Sequence, residues 1–106
     1  MIVFAVPKFL ISQAIGPNAV NIRNIQDKLG KKVRIVKEAE GVDDAERFVR
    51  DIVAPVSFKS MEIREGVIIL SAGMQSKAAL IGRNRRREDE LKQIIKDTFD
   101  LDLKII

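Results

Sequence analysis

The sequence predicts an α+β protein made of two consecutive copies of one small unit, the first lacking the helix and strand that open the second. Three observations predict it. Residues 2–29 and 68–95 align without a gap at an offset of 66, each running apolar segment, helical segment, Ile-Gly, helical segment. Short apolar runs stopped by Pro or Gly read as strands. Apolar residues recurring at i, i+3, i+4 and i+7 read as amphipathic helices. Only Ile2/Ile68, Ile15/Ile81, Gly16/Gly82 and Asn18/Asn84 are identical across the two copies. The repeat is therefore carried by residue class rather than by identity.

Taken in chain order, Ile2-Val3-Phe4-Ala5-Val6 is a buried-type strand stopped by Pro7. Residues 8–15 have helical character and end at Ile15-Gly16. In the next helix Ile22, Ile25 and Leu29 form the apolar face, and Gly30 is placed to end it in a left-handed cap. Val33 and Ile35 alternate with Lys32 and Arg34 in a half-buried strand. Glu38-Ala39-Glu40-Gly41 is a polar joint. Asp43 or Asp44 then caps a helix with the stripe Ala45, Phe48, Val49 and Ile52, stopped by Pro55. Residues 56–63 read as a strand, and Arg64-Glu65-Gly66 as a tight turn into a second strand from Val67. Gly73 and a helical segment lead to Ile81-Gly82. Leu91, Ile94, Ile95 and Phe99 make the face of the following helix, and Leu101, Leu103 and Ile105 alternate in the last strand. Matching that strand to Val33 and Ile35 requires four extra residues in the second copy, about one helical turn. Glu88 stands where the first copy has Ile22, which predicts a first turn facing water.

Composition excludes much. The 106 residues contain no Cys, His, Trp or Tyr, so disulfides, thiol nucleophiles, thiolate zinc sites and imidazole chemistry are absent. The acidic clusters at 38–46 and 88–90 adjoin a helix cap and a run of arginines, and neither forms an acid–base or metal pair. The reading is therefore of a protein without catalytic activity and without a cofactor. No apolar run approaches the roughly 20 residues that span a bilayer, and the apolar start lacks the marks of a signal peptide, so a cytoplasmic protein with no membrane partner is expected. The net charge of +4 is uneven: residues 1–37 carry seven basic groups and one acidic, residues 38–65 four and eight, residues 66–106 eight and six. Basic faces separated by an acidic spacer fit a nucleic-acid binder.

Two helices joined by a short turn that opens with glycine, followed by a strand, make a clamp for a nucleic-acid backbone. Ile15-Gly16-Pro17-Asn18-Ala19-Val20-Asn21-Ile22-Arg23-Asn24-Ile25 resembles the KH-domain signature, in which GXXG precedes an apolar helix face. Ile81-Gly82-Arg83-Asn84-Arg85 resembles a second copy. The helix-strand-strand-helix-helix-strand order of residues 43–106 is similar to that of a type II KH domain. The helix of residues 43–55 resembles the linker in the tandem KH pairs of NusA, in particular the short archaeal proteins. The resemblance covers essentially the whole chain and implies a KH-like unit at 1–37, a joint at 38–42 and a KH-like unit at 43–106.

The resemblance also implies function. KH domains hold about four single-stranded nucleotides between the GXXG loop and the terminal strand, on an aliphatic groove rather than on stacked aromatics. This is consistent with five aromatic residues that are all Phe. The implied partners are single-stranded RNA and RNA polymerase, and the implied role is in transcription elongation or termination. The implied RNA-binding residues are Gly16, Pro17, Asn18, Ala19, Arg23, Lys32 and Arg34 in the first unit, and Gly82, Arg83, Asn84, Arg85, Arg86 and Arg87 in the second. Both turns depart from GXXG, ending in Ala19 and Arg85, and Pro17 removes one N–H. The alternative is a KH fold that docks on RNA polymerase or a ribosome-associated assembly without RNA. The first unit's two-stranded sheet is also expected to expose an edge at Ile2–Val6, to be filled by a segment further upstream or by another subunit in a homo-oligomer.

Overall fold

The computed structural model describes residues 2–106, Asn18 by its backbone alone, and is α+β with five helices and two small sheets. The chain divides into two compact units, residues up to Ile52 and Val53–Ile106.

In the first unit, β1 (Ile2–Val6) leads through a 3-10 turn at Lys8–Leu10 into α1 (Ile11–Ile15). A second 3-10 turn, Pro17–Ala19, opens α2 (Val20–Leu29), which ends at Gly30 in the left-handed conformation, φ 64°. Its N–H donates to the Gln26 carbonyl at 2.8 Å, the cap expected from its position. The following strand β2 (Val33–Lys37) pairs in parallel with β1, Ile2 opposite Val33 and Val6 opposite Lys37. Parallel pairing requires a crossover, and α1 and α2 supply it.

Burial in this unit is uneven. On β2 the buried pair is Val33 and Val36, with Ile35 only half-buried, so the alternation expected of Val33 and Ile35 is not realised. Neither α1 nor α2 buries a residue. Leu29, expected on the apolar face of α2, is 47% exposed, and Phe4 on β1 is 40% exposed. Two strands offer too little surface to cover both helices, and β1 pairs with β2 alone among the described residues.

Beyond the joint, a 3-10 turn at Val42–Asp44 precedes α3 (Ala45–Val53), whose Ala45, Phe48, Val49 and Ile52 are all buried, as their spacing predicts. Arg47 fastens its start. It donates to the main-chain oxygens of Lys37 and Glu38 at 2.9 and 2.8 Å, to Asp51 at 2.9 Å, and to the carboxylate of Asp44. Asp44 also accepts from the Glu40 N–H at 3.1 Å. These contacts, led by the Arg47 hydrogen bond, lower the Asp44 carboxyl from 3.8 to about 2.

In the second unit the chain turns at a cis Ala54–Pro55 bond, and β3 (Ser60–Arg64) begins four residues later than the sequence reading. The intervening residues form a turn, with Val56 N–H bonded to the Val53 carbonyl at 3.0 Å, and bury Phe58. Glu65 and Gly66, both at positive φ, make the two-residue connection to β4 (Val67–Ser71), the conformation that matches the twist of a hairpin. β3 and β4 are antiparallel, Arg64 opposite Val67. Then come α4 (Met74–Ile81), a 3-10 turn at Arg83–Arg85, α5 (Arg86–Phe99) and β5 (Asp102–Ile105), which is parallel to β4. The sheet order is β3-β4-β5. Ile68, Leu70, Leu80, Leu91, Ile95 and Leu103 form the core of this unit.

The repeat is visible in the registers. Ile2 faces Val33, and Ile68 faces Leu103. The first partners are thus 66 apart and the second 70. The four-residue difference is absorbed where α5 has 14 residues and α2 has 10, one extra turn before the parallel strand.

Candidate nucleic-acid interface

Each unit joins its two helices by a turn with the same backbone. Gly16 (φ 76°, ψ 171°) and Gly82 (φ 72°, ψ 176°) occupy a region that is essentially restricted to glycine. Their N–H groups bond to the carbonyls of Ser12 and Ala78, both at 2.9 Å. Three residues later Ala19 (φ 60°, ψ 29°) and Arg85 (φ 61°, ψ 21°) are left-handed, where the last glycine of GXXG would be at ease. Holding a side chain there costs roughly 1–2 kcal/mol, and Asn84 (φ 56°) adds a second such residue to the second turn. The departures from GXXG change the residues but keep the turn.

The glycines have a packing role of their own. A Cβ on Gly16 would stand 2.8 Å from the side chain of Asn21, whose Nδ2 donates to the Gln13 carbonyl at 2.7 Å. A Cβ on Gly82 would stand 2.8 Å from Cγ of Arg87. Asn21 and Arg87 are equivalent under the 66-residue offset. In both units the second residue of the second helix folds back over the glycine.

No side chain caps the start of α2 or α5. The N–H groups of Val20 and Arg86 donate instead to the carbonyls of Pro17 and Arg83 in the preceding turns, and the helix dipole at each start favours an anion. The two surroundings differ. Pro17 is exposed, and residues 16–19 carry no cation. In the second turn Arg83, Asn84, Arg85, Arg86 and Arg87 are all exposed. Arg83, Asn84 and Arg86 line a depression of about 350 Å³ together with Asp89. Asp89 also lines a groove of about 550 Å³ with Lys92, Gln93 and Lys96 of α5 and Asp102 and Leu103 of β5. The turn, one face of α5 and the terminal strand therefore meet along one surface.

Glu88 corrects the sequence reading. It is 7% exposed rather than facing water, and it stands in line with Leu91 and Ile95 at i, i+3 and i+7. Its carboxylate is matched by Lys92 at 3.1 Å and by Arg85 at 3.7 Å. A buried carboxylate in the first turn of a helix is favoured by the dipole and partly offsets the arginines beside it. It also draws the Arg85 side chain back toward α5, leaving Arg83 and Arg86 as the guanidiniums that line the depression.

The remaining sequence-derived residues are dispersed. Arg23 is exposed one turn into α2, at the position Asp89 holds in α5. Lys32 is exposed ahead of β2. Arg34 donates to the Asp51 carbonyl at 3.0 Å, which ties β2 to α3. The side chain of Asn18 lies outside the described residues. The groove residues Asp89, Lys92, Gln93 and Lys96 were not singled out from sequence. Their signal was the polar stripe of Arg86, Asp89, Gln93 and Lys96 at i, i+3, i+7 and i+10, opposite the apolar face.

Comparison with known proteins follows the same line. No family model matches the chain. It is similar to three archaeal proteins, each named "Probable transcription termination protein NusA". That of Methanococcus vannielii is 28% identical over 97 residues, 88% of this chain and 54% of the relative. That of Halococcus morrhuae is 27% identical over 95 residues, 87% of this chain and 66% of the relative. That of Methanocaldococcus jannaschii is 26% identical over 110 residues, 99% of this chain and 58% of the relative. The chain is NusA-like over most of its length, and it spans between about half and two thirds of these relatives. Its fold is similar to the crystal structure of APE1850, with a TM-score of 0.74 at 22% identity, covering 98% of this chain and 77% of that one. No helix among the described residues is long and apolar enough to cross a membrane.

Proposed function

We propose that the chain binds single-stranded RNA through two KH-type units and acts as a NusA-like factor in transcription elongation or termination, in contact with RNA polymerase. In this reading the second KH-type unit is residues 43–106, in the type II order α3-β3-β4-α4-α5-β5, and so takes in α3, which precedes the compact unit Val53–Ile106. The first, residues 1–37, has the last four elements of that order, and residues 38–42 are the joint. The observation that carries the reading is the second turn. There an uncapped helix start and the exposed guanidiniums of Arg83 and Arg86 adjoin a groove running along α5 to β5. Guanidiniums bind phosphate in forked geometry, and the groove beside them receives the bases. The first unit offers the same turn with Pro17 and no cation, so its contribution comes from Gly16, Ala19 and the basic Arg23 and Lys32.

That poverty of charge favours a second reading for the first unit, a protein-contact surface for RNA polymerase or a ribosome-associated assembly. Titration of a fluorescent single-stranded RNA of about eight nucleotides tests the proposal, with Arg83→Glu/Arg86→Glu as the variant. Glutamate at the helix start is favoured by the dipole, so the variant keeps its fold. Binding by the parent and its loss in the variant support the clamp. Absence of binding by the parent, with polymerase still retained in a pull-down, supports the docking module instead.

A further inference from the structure

Within the RNA-binding reading, one position separates the two units chemically. Under the 66-residue offset that relates the two turns, Asp89 of α5 corresponds to Arg23 of α2. Both are exposed, three residues after the first residue of their helices. One unit therefore presents a hydrogen-bond acceptor where the other presents a donor.

The setting of Asp89 determines what it can meet. It is the residue shared by the depression of Arg83, Asn84 and Arg86 and the groove of Lys92, Gln93, Lys96, Asp102 and Leu103. A nucleotide whose phosphate rests on Arg83 and Arg86 must pass Asp89 to enter that groove. A carboxylate at this junction repels phosphate and carbonyl oxygens and accepts from N–H groups. The other carboxylates nearby have partners: Asp102 and Asp100 face Lys96 at 4.0 and 3.1 Å, Asp97 accepts from Gln93 at 2.8 Å, and Glu88 holds Lys92. Asp89 has no ion pair or hydrogen bond among the described residues.

We infer that Asp89 is a specificity-determining residue that makes the second unit prefer bases bearing an exocyclic amine and disfavour uracil, while Arg23 gives the first unit the opposite preference. Cytosine presents an N4 amine that a carboxylate accepts from, whereas uracil presents the O4 carbonyl at the same place. Arg23 donates to O4 and has no use for an amine. The chain therefore reads a mixed sequence, with an amine-bearing base at the second clamp and a keto base at the first.

The test measures the affinity of the full chain for oligocytidine and oligouridine of equal length, at one salt concentration, for the parent, Asp89→Asn and Arg23→Gln. Asp89→Asn should weaken oligocytidine by about tenfold and leave oligouridine unchanged or tighter. Arg23→Gln should weaken oligouridine more than oligocytidine. If Asp89→Asn shifts both oligonucleotides equally, or neither, the assignment is wrong while RNA binding stands. If the parent binds neither, the RNA-binding reading itself fails and this inference with it. Asp89 is exposed, and unchanged far-UV circular dichroism shows that the variant is folded.

Discussion

Replacing Ala19 with glycine should stabilise the first unit, and replacing Gly16, three residues earlier, with alanine should destabilise it. Ala19 is held at φ 60°, where an L-residue costs roughly 1–2 kcal/mol relative to the right-handed region. Glycine removes that cost but gives the unfolded chain more freedom, which returns roughly 0.4–1 kcal/mol. The balance is a gain of about 0.8 kcal/mol, the difference of the midpoints of those two ranges. At Gly16 the signs reverse. Its φ of 76° and ψ of 171° suit glycine alone, worth about 1–3 kcal/mol. The added Cβ would also meet Asn21 at 2.8 Å and dislodge its bond to Gln13, a further loss of about 1 kcal/mol. Urea denaturation followed by circular dichroism reads both, as shifts in midpoint at constant slope. A lower midpoint for Ala19→Gly, or an unchanged one for Gly16→Ala, would refute the view that the turn is held in this conformation.

Two further outcomes follow from the joint and α3. The folded Asp44 carboxyl lies at about 2 against an ordinary 3.8. The stability it contributes is therefore complete above pH 3.8 and is lost as the pH falls toward 2. NMR titration of the side-chain carboxyl should place its midpoint near the lower value, and Arg47→Met should raise it toward the ordinary one, with the Glu40 N–H still holding it down. Phe48→Ala should cost about 3–5 kcal/mol in urea unfolding, because Phe48 is 1% exposed, while Phe9→Ala, at 79% exposure, should stay within about 0.5 kcal/mol.

Much of this architecture was legible in the residues. The stripe of Ala45, Phe48, Val49 and Ile52 names the buried face of α3, and the left-handed cap at Gly30 follows from its place after the last apolar residue. The four-residue surplus of the second copy reappears as one turn of α5. What escaped had physical reasons. Leu29 carries the periodicity of a core residue, but periodicity shows which face is apolar and not whether a third strand is there to cover it. Glu88 was read outward because a carboxylate is costly to bury. Its compensation by Lys92, one turn later, and by Arg85, three residues earlier, depends on a turn whose left-handed residues are not glycines. Ala19 and Arg85 gave no local sign of that conformation, because neither residue type favours it. The turn is imposed by what surrounds it. Asp89 escaped for another reason: a single charged residue on a solvated face acquires meaning only beside the depression and groove that it borders.

The central claim is that the second turn holds an RNA backbone by its phosphates, and its salt dependence tests this most directly. With about five phosphates neutralised, log K for a short single-stranded RNA should fall against log salt concentration with a slope of roughly −3 to −4. Arg83→Glu/Arg86→Glu should flatten it by about 1.4, two contacts at about 0.7 each on a single strand. A slope near zero in the parent, or the same slope in the variant, would contradict the account.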